Sequence, residues 1–202
     1  MKENIIELVS KAKVLPILRS SDPKETVDTA KALIDAGIKT LEVNIENPKI
    51  YDAIKTISKD VSVCAGGIVT TMQAKAALES GAKILSSPIF QMHLLKFSKD
   101  RHIPLISSAS TANEAYNVWK AWVPFVKIYP VTPLGGVLYI KDMLRQMPFL
   151  KVVPLGNVKL NEVQSYLDAG AISVGVGRDL YEGYSHNEIT KRVKSVLERL
   201  NS

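Results

Sequence analysis

One lysine of this chain lies where a surface lysine is not expected. Residues 125–130 read Phe-Val-Lys-Ile-Tyr-Pro, an aromatic and β-branched run that is typical of a short buried strand, and Lys127 stands in its middle. Burial disfavours the charged form of an amine, so an interior lysine is a candidate nucleophile for a carbonyl substrate. The alternative is a lysine at a strand end whose ammonium group reaches solvent or pairs with a carboxylate.

A second ionisable group also stands at mid-strand. Glu42 lies in residues 40–45, Thr-Leu-Glu-Val-Asn-Ile, where strand alternation places it on the same face as Asn44. If Glu42 and Lys127 point into one interior, their opposite charges come within reach of each other. They then form either a structural ion pair, which is costly to desolvate, or an amine nucleophile with a carboxyl group that moves protons. We favour the second interpretation, because Schiff-base chemistry requires such a pair.

The elements that must position these two residues alternate along the chain. Eight short apolar runs are each followed by an amphipathic segment, after a short leading helix near residues 3–12. The predicted strands are residues 14–19, 40–45, 61–68, 83–87, 103–107, 125–129, 151–155 and 172–176. Eight such units predict an α/β protein with a compact (β/α)8 TIM barrel, as a single domain over residues 1–202. A doubly wound open sheet is the competing architecture, but no nucleotide-binding fingerprint follows the first predicted strand.

Composition narrows the classes of partner. The chain has 202 residues, a formal net charge of +6 and one cysteine, Cys64. Its lysines are scattered rather than clustered, which argues against nucleic acid and fits a small anionic substrate. A single cysteine permits no intrachain disulfide, and the other carboxylates fall on predicted helices, so we expect neither a metal site nor a cofactor. No apolar stretch has the length of a signal peptide core or a membrane span, so we expect a cytoplasmic protein without a membrane partner.

Further candidate site residues follow from the barrel, because active sites of this fold gather at the carboxyl ends of the strands. Glycine-rich turns there can hold an anion through their amides, and the turns after strands seven and eight often bind phosphate. The alternative for each glycine is that it only permits a tight turn. The candidates for substrate binding are Arg19, Gly66, Gly67, Ser87, Pro88, Gly135, Gly136, Gly156, Gly177 and Arg178.

The same segments carry a resemblance to a known family. In one-letter code they are VLPILR (14–19), TLEVNI (40–45), CAGGIV (64–69), SSP (86–88), IPLISSAST (103–111), FVKIYPV (125–131), LGGV (134–137) and VGVG (174–177). Almost end to end, the chain resembles the 2-keto-3-deoxy-6-phosphogluconate (KDPG) and 4-hydroxy-2-oxoglutarate aldolase family. The glutamate of LEV and the lysine of FVK are its most specific marks.

This resemblance implies a (β/α)8 barrel, commonly a homotrimer, that uses no metal. Lys127 would form a Schiff base with the pyruvyl carbonyl. Glu42 would move protons during carbinolamine formation and carbon–carbon cleavage, which gives pyruvate and an aldehyde. Arg19 and the amides of the glycine turns would hold the anionic keto-acid substrate.

Several positions depart from the family pattern. Glu46 stands where an arginine that binds the substrate carboxylate is usual, Gly67 replaces a threonine, and Arg178 replaces a small serine. Ser107-Ser108 and Leu155-Gly156-Asn157 also differ from the usual proline-glycine and threonine-glycine-glycine turns. An acid at position 46 repels a carboxylate unless it turns away or pairs with Arg19, whereas Arg178 supplies a cation for phosphate.

The leading hypothesis is therefore a class I aldolase that acts on a 2-keto-3-deoxy-6-phospho sugar acid or on 4-hydroxy-2-oxoglutarate. A second hypothesis is a relative that uses another aldehyde partner, or a decarboxylase-like use of the same imine. A third is a divergent barrel that has lost turnover and serves as a sugar-acid-binding protein.

Overall fold

Eight parallel strands and the helices between them build the molecule. The computed structural model describes residues 5–201, so residues 3 and 4 of the predicted leading helix lie outside the described residues. The strands are β1 (Val14–Leu18), β2 (Thr40–Asn44), β3 (Ser62–Gly66), β4 (Ile84–Ser87), β5 (Leu105–Ala109), β6 (Val126–Ile128), β7 (Val152–Pro154) and β8 (Val174–Val176). The α-helices are α1 (Ile5–Lys11), α2 (Pro23–Asp35), α3 (Ile50–Ile57), α4 (Thr71–Glu79), α5 (Met92–Asp100), α6 (Ala112–Lys120), α7 (Gly136–Gln146), α8 (Val163–Asp168) and α9 (His186–Asn201). Short 3-10 helices lie at Thr132–Leu134, Leu160–Glu162 and Arg178–Leu180.

The strands close into a barrel in sequence order. Parallel hydrogen-bonded pairing runs from β8 to β1 and then in order to β7. At the remaining seam, β7 and β8 lie side by side, and the Ile172 amide donates to the Val152 carbonyl over 3.1 Å. Gly175 permits this close approach, because a Cβ there would lie 2.7 Å from the Leu155 Cβ. The predicted (β/α)8 barrel is confirmed.

The strand boundaries differ from the predicted ones by one or two residues. In β5 both ends differ by two residues, because the strand runs over Leu105–Ala109 rather than over residues 103–107. The Ile103 amide donates back to the Ser98 carbonyl over 3.0 Å and so completes the end of α5. Pro104 has no amide hydrogen to give to a strand ladder. The chain therefore joins the sheet two residues later than its apolar pattern indicates.

The alternation of side chains along the strands separates two apolar clusters. The inner cluster fills the barrel and contains Leu15, Ile17, Cys64, Ile84, Ile106, Phe125 and Val153, together with Val9 of α1. The outer cluster lies between the strands and the helices and includes Val14, Leu41, Val63, Leu85, Val126 and Ile128. Because Val9 belongs to the inner cluster, α1 closes the barrel at the end where the chain enters β1.

Side-chain caps fix the starts of three helices that follow strands. Asp22 accepts a hydrogen bond from the Lys24 amide over 2.8 Å at the start of α2. Thr70 and Thr111 form capping boxes, and in the second of these Glu114 accepts from the Ser110 and Thr111 amides. These hydrogen bonds hold the pKa of Glu114 below its usual range. The caps stiffen the loops at the carboxyl ends of the strands.

Candidate active site

The barrel brings Lys127 and Glu42 together in its interior. Phe125 belongs to the inner cluster, so Lys127, two residues further along β6, faces the same way. Glu42 on β2 lies between Ile17 and Cys64 of the neighbouring strands, and both of these are inner-cluster residues. The Lys127 Nζ donates to the Glu42 Oε2, and the two residues are only 2% and 3% exposed. Residues 85 positions apart in the chain thus form a buried ion pair.

Two more buried groups touch this ion pair. The Lys127 Nζ also donates to the Ser86 Oγ over 2.7 Å, and the Cys64 Sγ donates to the Glu42 Oε2 over 3.4 Å. Burial raises the pKa of the Cys64 thiol well above its usual value, and the negative charge of Glu42 raises it further. Cys64 therefore stays a neutral thiol that donates to the carboxylate.

Ser86 was not among the predicted site residues, which included Ser87 instead. The run 83–87 was predicted as a strand, and its alternation does put Ser86 and Ser87 on opposite faces. The prediction did not establish which of the two faces of β4 points into the barrel. The signal that could have given it is Ile84, an inner-cluster residue two positions before Ser86.

Gly66 provides the space that the Glu42 side chain occupies. A Cβ at this position would lie 2.5 Å from the Glu42 Oε1 and 2.2 Å from the Asn44 Oδ1. Both distances are far below van der Waals contact, so the two polar side chains lie directly over the glycine. Gly66 is thus required by the position of the carboxylate rather than by its own backbone conformation.

A cavity of about 530 Å³ opens beside the ion pair at the carboxyl ends of β1, β7 and β8. Lys127 and Glu42 do not line it, but Asn44 links the two regions, because it lines the cavity and lies over Gly66 beside Glu42. The lining residues are Ile17, Arg19, Asn44, Tyr129, Leu155, Gly156, Asn157, Val158, Lys159, Gly175, Gly177, Arg178, Asp179, Tyr181, Glu182 and Tyr184. A molecule bound in the cavity would therefore lie next to the buried pair.

Three cations line this cavity, and two of them are paired. Arg19 lies 3.2 Å from Glu46, and Lys159 lies 3.1 Å from Asp179. Burial raises the pKa of Asp179, but hydrogen bonds from the Leu160 amide and the Lys159 ammonium outweigh this, and its pKa lies below the usual range. Among residues 5–201, Arg178 forms no comparable ion pair.

Apart from Gly135 and Gly136, the predicted substrate-binding residues fall into two groups. Arg19, Gly156, Gly177 and Arg178 line the cavity, as their positions at strand ends suggest. Gly66 and Gly67 lie beside Asn44, Ser87 is buried, and Pro88 is exposed. None of these last four residues is among those that line the cavity.

The geometry argues against the predicted role of Gly135 and Gly136. Their amides donate to the carbonyls of Thr132 and Val131, over 3.2 and 3.0 Å. These hydrogen bonds complete the turn that leads into α7, so the amides are not free to hold an anion. We therefore do not assign these two amides to the substrate.

The part of the chain that the structure describes holds no group of three or more His, Cys, Asp or Glu side chains suited to a metal ion. Within the same residues, no helix is both long and apolar enough to cross a membrane.

Comparisons with known proteins point to one family. The family model for KDPG and KHG aldolases matches residues 5–196. A 2-dehydro-3-deoxy-phosphogluconate aldolase of Treponema pallidum (strain Nichols) is 28% identical over 166 residues, which cover 81% of this chain and 79% of that protein. The KHG/KDPG aldolase of Escherichia coli (strain K12) is 26% identical over 205 residues, which cover 98% of this chain and 96% of that protein.

A solved structure shares the fold. The KDPG aldolase of Legionella pneumophila, described with pyruvate captured as a covalent carbinolamine intermediate, superposes with a TM-score of 0.86 at 22% identity. The superposition covers 97% of this chain and 99% of that one. Since the family model spans nearly the whole sequence, the chain belongs to the KDPG and KHG aldolase family, as its motifs predicted.

Proposed function

We propose that this protein is a class I aldolase that cleaves a 2-keto-3-deoxy-6-phospho sugar acid or 4-hydroxy-2-oxoglutarate to pyruvate and an aldehyde. The observation that carries the proposal is the buried hydrogen bond between the Lys127 amine and the Glu42 carboxylate, next to an open cavity. A buried ion pair contributes little net stability, because desolvation offsets its attraction. Its place inside a barrel, beside that cavity, supports a catalytic use.

The first steps build an imine on Lys127. Glu42 accepts a proton from the ammonium group, which leaves a lone pair on Nζ to attack the C2 ketone of the substrate. After one proton moves from nitrogen to oxygen, the product is a neutral carbinolamine. Glu42 then returns its proton to the C2 hydroxyl, the C–O bond breaks, water leaves, and the nitrogen lone pair forms the C=N bond of the iminium.

The iminium then accepts electrons during cleavage. Glu42, again a carboxylate, takes the proton of the C4 hydroxyl. The C3–C4 electron pair moves toward nitrogen, so the aldehyde departs and an enamine remains. Glu42 returns the proton to C3, and hydrolysis of the imine releases pyruvate and restores the Lys127 amine.

We assign the anionic ends of the substrate to the cations of the cavity. Arg178, which has no ion-pair partner among the described residues, is suited to the phosphate or distal carboxylate. Gly156 and Gly177 line the cavity beside it, and the lack of a side chain at Gly156 lets Pro130 pack close, because a Cβ there would lie 2.9 Å from the Pro130 Cα. Arg19 is suited to the C1 carboxylate, in competition with Glu46.

The Arg19–Glu46 pair also favours a second candidate function. It places a negative charge near the site of a negatively charged substrate, which weakens binding of the substrates usual for the family. A barrel with an altered substrate, or one that binds sugar acids without turnover, would carry such a change.

Borohydride reduction in the presence of pyruvate, followed by peptide mass spectrometry, tests the proposal. We expect a reduced pyruvyl adduct on Lys127, no adduct in Lys127→Met, and release of pyruvate from KDPG or 4-hydroxy-2-oxoglutarate. Folded wild-type protein without an adduct would refute the imine assignment. Thermal stabilisation by these substrates without product would favour the binding function.

We further propose that the enzyme is a homotrimer of the cytoplasm. Exposed aromatic side chains on and after α6, namely Tyr116, Trp119 and Trp122, together with Phe149, support association between copies. The free, buried thiol of Cys64 fits a reducing compartment. Light scattering of the purified protein would give the mass of the assembly, and a monomer mass would contradict the trimer.

A further inference from the structure

Glu42 is not the only hydrogen-bond partner of the Lys127 amine. The Ser86 Oγ lies 2.7 Å from the Nζ, and Ser86 is 2% exposed. An ammonium group can only donate, so the serine oxygen accepts this hydrogen bond and its own proton points elsewhere. Among the contacts described for residues 5–201, that proton has no acceptor. The hydroxyl is therefore free to donate to a bound substrate.

The position of Ser86 also determines which way the amine can react. When Glu42 has taken one proton, Nζ keeps two N–H groups and one lone pair. Because the proton leaves along the hydrogen bond to Glu42, the lone pair first faces Glu42, while the Ser86 oxygen still accepts one N–H group. A turn about the Cε–Nζ bond must then bring the lone pair toward the substrate, and the Ser86 oxygen limits this turn because it can accept an N–H group before and after it.

We propose that Ser86 is a third catalytic group of this site, an inference that rests on the proposed aldolase function. Its oxygen holds one N–H of Lys127, and its hydroxyl donates a hydrogen bond to the oxygen on C2. In the dehydration step, the C2–O bond breaks, Glu42 supplies the proton that completes the water molecule, and the nitrogen lone pair forms the C=N bond. Ser86 keeps its own proton throughout and stabilises the departing oxygen.

A purely structural role accounts less well for this serine. Ser86 pairs with Ile106 in the register of β4 and β5 and follows Ile84 by two residues, and both belong to the inner cluster, where a hydroxyl group is costly to bury. Glu42 alone already balances the charge of Lys127. Ser86 thus orients the Lys127 amine and is not needed to balance its charge.

The experiment compares pyruvate trapping by borohydride in wild-type protein, Ser86→Ala and Ser86→Thr. We expect the trapping rate at saturating pyruvate to fall about 10- to 100-fold in Ser86→Ala, as for loss of a hydrogen bond to a charged group. The pyruvate concentration that gives half of the maximal rate should change less than about twofold. Ser86→Thr keeps the hydroxyl and should recover most of the rate.

Ser107→Ala is the matched control, since Ser107 is a fully buried serine of β5 whose hydroxyl has no partner among the described residues. It should trap pyruvate at the wild-type rate. If Ser86→Ala does not fold, as judged by its melting curve, Ser86→Cys takes its place, because a thiol of similar size is a weak acceptor.

The outcomes separate this inference from the proposed function. No adduct on Lys127 of the wild-type protein would overturn the aldolase proposal and the role of Ser86 with it. An adduct that forms equally fast in wild-type protein and in Ser86→Ala would overturn the role of Ser86 alone. A slow rate in both Ser86→Ala and Ser86→Thr would assign the effect to packing and also overturn the role of the hydroxyl.

Discussion

Gly66→Ala should show whether activity depends on the position of the Glu42 carboxylate, because the variant moves this group without replacing it. Glu42 and Lys127 are both retained in this variant. The new methyl group would lie 2.5 Å from the Glu42 Oε1 and 2.2 Å from the Asn44 Oδ1. Both contacts are with the ends of flexible side chains, so the side chains move rather than the strands.

The size of the effect follows from these distances. Van der Waals contact needs roughly 3.4 Å, so the Glu42 carboxylate must retreat by about 1 Å, and a misplacement of this size costs about 100-fold in rate. Because only side-chain ends shift, the free energy of unfolding should fall by about 1–3 kcal/mol, the usual cost of overpacking. A 100-fold loss of rate corresponds to about 2.7 kcal/mol of activation free energy, which is comparable with the loss of stability, so turnover must be measured on protein shown to be folded.

The assay is the rate of pyruvate release from KDPG, measured beside a urea melt of the same preparation. Gly170→Ala is the control, because its Cβ would lie 2.9 Å from the Leu144 Cδ1 in the helical layer, where a positive φ of 101° adds strain. We expect this control to lose stability but to keep the wild-type turnover rate. Turnover of Gly66→Ala within about threefold of the wild-type rate would refute the reasoning that Glu42 must keep this position.

Three further predictions follow from the charges of the site. Lys127→Met should lower the free energy of unfolding by about 3–5 kcal/mol, because Glu42 stays buried without its cation. The double variant Lys127→Met/Glu42→Leu should recover most of this loss, because no unpaired charge remains buried. Equal urea melts of the single and double variants would contradict the expected recovery. Burial raises the pKa of the Cys64 thiol, so the folded protein keeps a proton that the unfolded chain loses at high pH. The contribution of this thiol to the free energy of unfolding is complete below about pH 8.5 and is lost above that, at up to about 1.4 kcal/mol per pH unit. In urea melts between about pH 9 and 10, the free energy of unfolding should therefore decline less steeply with pH in Cys64→Ala than in the wild-type protein. Equal slopes in the two proteins would rule out this contribution of the thiol. Glu46→Gln should release Arg19 and lower the pyruvate concentration that gives half-maximal trapping by up to about fivefold, which is the range for an exposed ion pair. The maximal trapping rate should not change. A higher half-maximal concentration would mean that Glu46 assists binding.

Much of the site was predictable because a strand has a period of two. That period decides which side chains of a strand share a face, so the sequence predicted that Lys127 and Glu42 come within reach of each other if both point into the barrel. The alternation of eight apolar runs and amphipathic segments likewise predicted the parallel barrel, because parallel strands require a crossover between them. Helix caps such as Asp22 and Thr111 also depend on local sequence, since they act through residues only two or three positions away.

Contacts between distant segments were decided only by the tertiary structure. A shift of one residue in strand phase exchanges the two faces, so Ser86 rather than Ser87 meets the amine. The hydrogen bond between the Cys64 thiol and the Glu42 carboxylate depends on the register of two neighbouring strands, which no local pattern encodes.

The amides of Gly135 and Gly136 donate hydrogen bonds to carbonyls of their own turn, which the sequence of the turn alone does not reveal. Local periodicity thus predicted the fold and the two residues that we propose as the catalytic pair. The other groups that contact Lys127 and Glu42 depend on strand register and turn geometry, which form only when the whole barrel closes.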